Sequence, residues 1–205
     1  MPIWTPEKIW SNRDVFIIGG GKSLEYFNWN NLIQECTIGC NDAFKHGVNI
    51  TKICYFGDTK FFKYYQKELS VFEGTVFTDV PSLYKSREDW LWTLQRYTSF
   101  SKKAIGWYSS TGSGAVSLAI LLGAKRVFLL GFDMHLSKEG EANWYPNMLD
   151  VPNTKVFTKF INGFKRLKID LMKKHPEVEI INITDNSSLN AFPKIGVKEF
   201  WKERL

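Results

Sequence analysis

The sequence predicts an α/β protein with a Rossmann-like, three-layer fold built on a mostly parallel sheet. Short apolar runs without a polar face recur along the chain, which is typical of parallel strands covered on both sides. Helical segments separate several of these runs, as in a parallel sheet with helices on its two faces. Four of the runs end in glycine or polar residues, in the segments GGGKS, CND, FGD and GFD.

The bulk composition predicts a single domain. The chain has 205 residues, enough for one sizeable core, and we expect one nucleotide-binding α/β domain over residues 1–205. The three cysteines fit buried thiols in a reducing compartment. The sequence has no apolar run near the ~20 residues of a membrane helix and no signal-peptide pattern at its start. We therefore expect a cytoplasmic protein without a transmembrane segment.

The net charge of the chain indicates the chemical class of its partner. The net charge of +6 favours an anionic ligand or partner, which leaves nucleotide phosphate, nucleic acid and an anionic membrane surface as candidates. We expect this excess to be spread along the chain, which disfavours dedicated nucleic-acid binding. Aromatic residues make up 16% of the chain, which fits either a stacking surface or a bulky core. The three histidines are scattered, so the sequence does not predict structural zinc.

The elements follow in chain order. Strands are predicted at Val15–Ile18, Thr37–Cys40, Lys52–Phe56, Thr75–Thr78, Arg126–Leu130 and Glu179–Ile183. Helices are predicted at Phe61–Leu69, Ala115–Leu122, Thr154–Lys174 and Val197–Arg204. The segment TGSG opens the second of these helices with polar, glycine-rich chemistry, and Gly123 ends it.

Two connecting segments and one amphipathic helix complete the predicted elements. We expect residues 79–108 to form a short helix plus a loop or lid, and residues 137–153 to form a surface loop. The helix over Thr154–Lys174 is amphipathic. Its core face is predicted to hold Phe157, Phe160, Ile161, Phe164, Leu167 and Leu171, and a solvated basic face is predicted to hold Lys155, Lys159, Arg166, Lys173 and Lys174.

The strand ends predict a nucleotide site. In a parallel sheet these ends meet at one edge, where glycines let backbone amides approach phosphate and a helix N-terminus adds positive potential. Lysine can pair with phosphate, and aspartate or asparagine can read ribose hydroxyls or a base edge. The predicted nucleotide-binding residues are Gly19, Gly20, Gly21, Lys22, Ser23, Asn41, Asp42, Gly57, Asp58, Thr111, Gly112, Ser113, Gly114 and Gly131.

Two well-known phosphate motifs are excluded by spacing. The NTPase phosphate loop needs a glycine five places before Gly21, and that position is Phe16. The dinucleotide fingerprint needs a third glycine where Leu24 stands. The glycine segment is therefore better interpreted as one wall of a pocket.

The order of motifs GGGKSL, CNDAF, YFGD and TGSGAVSLAILLGAKRVFLLGFDMH resembles bacterial sialyltransferases of the lipooligosaccharide type. It is also similar to phage and bacterial proteins related to archaeal hydroxymethylpterin pyrophosphokinases. The similarity covers about residues 14–135, with its most specific part from Thr111 to Asp133, and it implies the GT-A-variant fold of the sialyltransferases. Lys22 stands where these families usually have proline.

The resemblance implies that the nucleotide part of a donor is held by Gly19–Ser23, Asn41, Thr111, Ser113 and Gly114, with Asp133 closing the pocket. The leading hypothesis is a glycosyltransferase that moves a sugar from a nucleotide-sugar donor to a hydroxyl acceptor. Its general base is His135, with Asp133 as the second candidate, because an ordinary histidine titrates near ~6.5. Sugar or base stacking by Trp90, Trp92, Trp144 and Tyr145 is expected, with core packing as the other interpretation.

Two other hypotheses stay open. One is a pyrophosphokinase that transfers a pyrophosphoryl group from ATP to a pterin-like hydroxymethyl group, with Mg²⁺ held by Asp58 and Asp133. The other is a phage protein that binds or sequesters a nucleotide without catalysis. The sialyltransferase-like mechanism needs no metal or cofactor. The acceptor is a glycan, a small molecule or a modified nucleic acid, and the sequence leaves the donor, the acceptor and a homo-oligomeric state open.

Overall fold

Seven parallel strands form the central sheet of the computed structural model, which describes residues 7–146 and 154–204. In chain order the strands are β1 (Asp14–Ile18), β2 (Cys36–Cys40), β3 (Ile53–Phe56), β4 (Thr75–Thr78), β5 (Leu91–Thr93), β6 (Arg96–Tyr97), β7 (Ile105–Gly106), β8 (Arg126–Leu130) and β9 (Glu179–Asn182). The sheet order is β5-β4-β3-β2-β1-β8-β9, and each neighbouring pair is parallel. The predicted fold class is confirmed.

Helices cover both faces of the sheet. They are α1 (Thr59–Ser70), α2 (Thr111–Leu121), α3 (Thr154–Lys174) and α4 (Val197–Arg204). Residues of β1 alternate between the two faces: Val15 and Ile17 pack in the core beneath α2 and α3, while Phe16 and Ile18 pack on the side of α4. Because β1 is covered on both faces, its central residues are all apolar and fully buried.

Helix α2 is buried on all sides, which explains why its sequence lacks the polar face of a surface helix. Ser110 caps its start by accepting a hydrogen bond from the Ser113 backbone N–H at 3.1 Å, and the Ser113 hydroxyl accepts one from the Ser110 N–H. Nine consecutive residues from Ser113 to Leu121 are buried, so the helix carries small and apolar side chains all round. It lies against β1, β2 and β3 and directs its N-terminus towards the carboxyl edge of the sheet.

The strand order reverses beside β1. From β1 the chain adds β2, β3, β4 and β5 on one side, and it then returns to place β8 and β9 on the other side. Parallel sheets of this kind leave a crevice outside the carboxyl ends of the strands where the order reverses. In this protein the crevice lies between the segments that follow β1 and β8.

The segment 79–108 differs from its prediction. Its one helical element is the 3-10 turn Pro81–Leu83, and it supplies the edge strand β5 and the short β6–β7 ladder. Arg96 ties the segment to the sheet with two hydrogen bonds to the fully buried Asp79 carboxylate, at 2.8 and 2.9 Å, and one to the Gly57 carbonyl. The guanidinium also lies 3.7 Å from the Trp107 ring centroid.

None of the helices in the described ranges is long and apolar enough to cross a membrane.

Candidate functional site

A cleft of about 740 Å³ opens at the carboxyl edge of the sheet, beside the point where the strand order reverses. Its walls come from the segments after β1, β2, β3 and β8, from the first turns of α1, α2 and α3, and from residues 142–145. Of the residues predicted as a site, those lining it are Gly19, Gly20, Gly21, Asn41, Asp42, Asp58, Thr111, Gly112, Gly131, Asp133 and Tyr145. The structure thus brings four separated strand ends to one cavity.

The glycine loop, Gly19–Gly21, lies directly against the segment that follows β8. The Gly19 N–H donates to the Leu130 carbonyl at 2.7 Å, and the Gly21 N–H donates to the Gly131 carbonyl at 2.8 Å. A Cβ atom at Gly21 would collide with Oδ1 of Asp133, and one at Gly19 would collide with the Gly131 carbonyl oxygen. The glycines therefore permit this close approach, which leaves their backbone exposed to the cleft.

Asp133 stabilises the contact between the glycine loop and the segment that follows β8. One of its oxygens accepts a hydrogen bond from the Ser23 backbone N–H at 2.8 Å, and the other accepts one from the Ser23 hydroxyl at 2.6 Å. The carboxylate is buried. Ser23 is not among the residues that line the cleft, so its hydroxyl holds the loop to Asp133.

Lys22 lies outside the cleft lining. Its ammonium group lies 2.6 Å from a carboxylate oxygen of Glu141 and 2.6 Å from one of Glu25. These two acceptors, Glu141 first, raise the pKa of Lys22 above its ordinary value. In this conformation the lysine neutralises two surface carboxylates, and the predicted pairing with phosphate would require it to leave them.

Residues 142–145 form a strap across the glycine loop. Gly21 and Asn143 make an antiparallel bridge, and the Trp144 N–H donates to the Gly20 carbonyl at 3.0 Å. The Trp144 indole N–H reaches the Gly19 carbonyl at 3.4 Å. The described part of the predicted surface loop 137–153 therefore includes a cleft wall, and residues 147–153 lie outside the described residues.

The side of the strap away from the cleft is held by an aromatic stack. The His46 ring contacts Trp29, at 3.7 Å between centroids, and Trp144, at 4.6 Å, and the two indole rings lie 5.6 Å apart. Burial lowers the pKa of His46. Burial likewise raises the pKa of Tyr145, which lines the cleft, so its phenol stays protonated and can donate a hydrogen bond.

Asn41 combines a left-handed backbone with an unpartnered side-chain atom. It follows β2 with a left-handed backbone, φ 52°, which is uncommon for a residue with a side chain. Its side-chain Oδ1 is buried and has no hydrogen-bond partner among the described residues. Both features carry a free-energy cost, and such costs cluster at ligand sites because a bound ligand can offset them.

Asp42, next in the chain, is buried and already engaged. Its carboxylate accepts a hydrogen bond from the Tyr65 hydroxyl at 2.7 Å and pairs with the Lys45 ammonium group. Asp58 is exposed at the mouth of the cleft, and its Oδ1 caps α1 by accepting from the Phe61 N–H at 2.7 Å. Each predicted carboxylate of the cleft thus has a structural partner as well as access to the cavity.

The remaining nucleotide-binding predictions fall on buried structural positions. Ser113 is fully buried in the capping box of α2, and a Cβ at Gly114 would collide with the Tyr55 hydroxyl. Gly57 packs against the Trp107 ring. None of the three lines the cleft, whereas Thr111 and Gly112 from the same helix start do.

His135 lies outside the cleft lining. Its Nδ1 is 2.8 Å from the Leu136 carbonyl and its Nε2 is 3.0 Å from the Asn186 carbonyl. Because a protonated ring donates to both, these contacts, the one to Leu136 first, raise the pKa of His135. A nitrogen that donates to a carbonyl is not available to accept a substrate proton.

The predicted aromatic group is divided between two places. Trp90 packs on Phe62 and donates to Glu88, and Trp92 lies exposed on the edge strand β5. Trp144 and Tyr145 belong to the strap, which lies across the loop after β1. The structure therefore does not bring the four rings together.

Comparison with solved structures finds a likeness that extends over nearly the whole chain. The chain is similar to the MAf glycosyltransferase from Magnetospirillum magneticum AMB-1, with a TM-score of 0.66 and 13% sequence identity. The match covers 96% of this chain and 35% of that chain, so the chain spans about a third of the length of that protein. The fold is glycosyltransferase-like. No protein-family model matches the chain, and no curated protein matches its sequence.

Helix α3 supplies a cleft wall that the sequence does not predict. Val156, Phe157, Lys159 and Phe160 of α3 line the cleft, as do Lys60 and Tyr65 of α1. Phe157 and Phe160 were expected in the core, but only Gly163, Phe164, Leu167 and Leu171 of α3 are buried. The repeat of apolar residues predicts one face of α3 and carries no signal of where the core ends and the cleft begins.

The described residues contain no group of three or more histidine, cysteine, aspartate or glutamate side chains that could hold a metal ion. Asp58 and Asp133 both line the cleft, and both oxygens of Asp133 are bonded to Ser23. Mg²⁺ in nucleotide sites often takes one or two carboxylates together with substrate phosphates. Metal use by this pair therefore stays a prediction that a chelator can test.

Proposed function

We propose that the protein is a nucleotide-dependent transferase, and specifically a glycosyltransferase that moves a sugar from a nucleotide-sugar donor to a hydroxyl acceptor. Asn41 carries this proposal. Its buried amide oxygen without a partner, on the wall of a large cleft, carries a cost that a hydrogen-bonding ligand would offset. The glycosyltransferase-like fold supports the class of reaction.

The donor site of the proposal joins two backbone surfaces. The glycine loop offers backbone groups without intervening side chains, and Ser110, Thr111 and Gly112 offer the N-terminus of an 11-residue helix. The helix N-terminus is suited to the phosphates of a nucleotide. The glycine loop, whose Gly19 and Gly21 N–H groups already donate to the segment after β8, lets the ligand approach the backbone closely. Asn41 lies on the wall after β2, where its amide oxygen would accept from a base or ribose.

In the proposed reaction the acceptor oxygen attacks the anomeric carbon, and the bond from that carbon to the phosphate oxygen breaks. The acceptor proton goes to a carboxylate of the cleft. Asp58 is favoured for this role because it is exposed and only its Oδ1 accepts a described hydrogen bond. His135 is disfavoured because both its ring nitrogens face backbone carbonyls.

A ligand panel tests the proposal. CMP, UDP, GDP and ATP, together with their sugar derivatives, are added to the parent protein and the melting temperature is measured. A ligand at about 100 times its Kd stabilises the native state by about 2.7 kcal/mol, which is easily measured for a chain of this size. No shift with any of these compounds would contradict the proposal.

A matched pair of variants locates the site. Asn41→Gly keeps the left-handed backbone accessible and removes the unpartnered amide, so folding stability should stay within about 1 kcal/mol of the parent while nucleotide affinity falls about tenfold or more. Asn12→Gly is the control, because Asn12 has φ 59° and lies outside the cleft lining. Equal loss of affinity in both variants would contradict the assignment of Asn41.

Turnover separates the alternatives. Release of the sugar from the bound donor, unaffected by EDTA, fits a glycosyltransferase that uses no metal. Dependence of turnover on Mg²⁺ and ATP would favour the pyrophosphokinase. Tight binding without turnover of any donor or acceptor would favour a sequestering protein.

A further inference from the structure

Helix α3 concentrates the positive charge of the protein. It carries seven basic side chains, Lys155, Lys159, Lys165, Arg166, Lys168, Lys173 and Lys174, against one acidic residue, Asp170, a net charge of +6. The whole chain also has a net charge of +6, so the rest of the chain is balanced overall. The expectation that the charge is spread along the chain is therefore wrong.

Most of these cations have no ion pair among the described residues. Arg166 donates to the Ser109 hydroxyl at 2.9 Å, and Lys174 lies 3.4 Å from Asp170. The other five lysines are exposed and make no salt bridge within residues 7–146 and 154–204. They form a surface whose charge is left for a partner.

Two apolar side chains lie within this basic surface. Ile169 is 57% exposed and Met172 is 66% exposed, on the side of α3 opposite its buried face. Residues four apart are neighbours on a helix surface, so Ile169 lies between Lys165 and Lys173, and Met172 lies beside Lys168. We call this surface the basic face of α3.

A neighbouring loop extends the basic face. The Phe100 N–H donates to Asp170 at 2.8 Å, and Lys174 donates to the Ser99 hydroxyl at 2.8 Å. These contacts hold the loop that carries the exposed Lys102 and Lys103 against the C-terminal half of α3. The same half of the helix thus has further cations on an adjoining loop.

We propose that the basic face of α3 docks the protein on an anionic lipid bilayer. The lysines would lie at the level of the lipid phosphates, and Ile169 and Met172 would enter the headgroup region. Lysine side chains around a small apolar centre suit this partner, because juxtamembrane cations are attracted to anionic lipids and exposed apolar side chains gain by leaving water. Nucleic acid would match the charge but would leave the apolar centre without a role.

This docking is independent of the proposed transferase activity. It needs only the outer surface of α3, and the test avoids Lys159 because that residue also lines the cleft. The purified full chain is sedimented with vesicles of phosphatidylcholine alone and of phosphatidylcholine mixed with phosphatidylglycerol. Binding to the anionic vesicles only is expected, with loss at about 1 M salt, where the screening length falls to ~3 Å.

Charge reversal with a matched control locates the surface. One variant combines Lys165→Glu, Lys168→Glu and Lys173→Glu, and the control combines Lys63→Glu, Lys67→Glu and Lys202→Glu, which are exposed lysines on other helices. Each exchange lowers the charge by two, so both variants take the chain from +6 to zero. The α3 variant should lose about 100-fold in vesicle affinity and the control much less. Equal losses would overturn the proposal.

Substitution of the apolar pair, Ile169 and Met172, distinguishes binding to lipid from binding to other anions. Ile169→Ser with Met172→Ser leaves the charge unchanged and should lower affinity for the anionic vesicles about tenfold, while any weak binding to duplex DNA should not change. Vesicle affinity equal to that of the parent would contradict the proposal that Ile169 and Met172 enter the headgroup region. Tight DNA binding that depends on the α3 lysines, without vesicle binding, would overturn the lipid assignment. Melting temperatures near that of the parent show that the variants fold.

Discussion

Asp133 shows how a single carboxylate can hold a binding loop in place. It is buried, and its two oxygens accept from the Ser23 backbone and hydroxyl. We expect Asp133→Ala to lower the free energy of unfolding by about 1–3 kcal/mol, because the Ser23 N–H loses its acceptor. Ser23→Ala should cost less, about 1 kcal/mol, because it removes only the hydroxyl bond. Urea unfolding of both variants checks this order, and a larger loss for Ser23→Ala would contradict it.

His135 gives a pH dependence with a definite sign. Hydrogen bonding to backbone carbonyls, that of Leu136 first, raises the pKa of His135 in the folded state. Its contribution to stability is therefore fully present below the unfolded value of ~6.5 and is lost as the pH rises through the folded pKa. Between about pH 5.5 and 8.5 the parent should lose more stability than a His135→Gln variant.

Thermal unfolding of parent and variant across that range measures the difference. His46 contributes with the opposite sign, because burial lowers its pKa and stability falls as the pH drops. The comparison cancels this contribution, since both proteins contain His46. Parallel pH curves for the two proteins would show that the carbonyl contacts of His135 do not favour its protonated form.

At the scale of elements, the apolar face of α3 packs in the core along one part of the helix and lines the cleft along another. Its second half buries Phe164, which is fully inaccessible, while its first half places Phe157 on the cleft wall. Phe164→Ala should cost about 3–5 kcal/mol of folding stability, because it leaves a cavity in the core. Phe157→Ala should cost much less stability and should weaken ligand binding instead. Denaturant unfolding and nucleotide titration of the two variants check this division, and equal stability losses would contradict it.

The elements predicted from sequence are those with a strong local signal. The apolar runs of β1, β4 and β8 and the long amphipathic pattern of α3 define those elements, because burial on two faces or on one stripe leaves a readable pattern. Strand β5 was missed, since Leu91–Thr93 is three residues long and only Leu91 is buried. Arg96, which follows β5, contacts Asp79, which follows β4, and no local sequence pattern encodes this contact.

At the scale of the whole molecule, the sheet topology explains which site residues could be predicted. Glycines and aspartates after parallel strands must meet at one edge, so the cleft residues after β1, β2, β3 and β8 could be expected. Lys22 and His135 occupy the same segments but lie outside the cleft lining, because their partners are Glu141 and the carbonyls of Leu136 and Asn186. The direction of a side chain in a loop depends on distant partners, and the sequence alone does not specify them.

Two segments of the molecule should respond differently to ligand binding, because they are attached differently. The segment 79–108 is anchored by Arg96 to Asp79 and Gly57, and none of its residues is among those lining the cleft. The strap 142–145 lies across the glycine loop and lines the cleft with Asn143 and Tyr145. A bound nucleotide should therefore order the strap, and the anchored segment should not respond.

Amide hydrogen exchange with and without the best nucleotide of the panel measures both responses. Exchange should slow at the glycine loop, at Asn41–His46 and at the strap, because these backbones surround the ligand. Exchange at β5 should be unchanged, since its backbone pairs with β4 in either state. Slowing across residues 79–108 equal to that of the strap would show that this segment closes over the ligand, as the sequence predicts for a lid. The Arg96 anchor would then be a contact that opens and closes during binding.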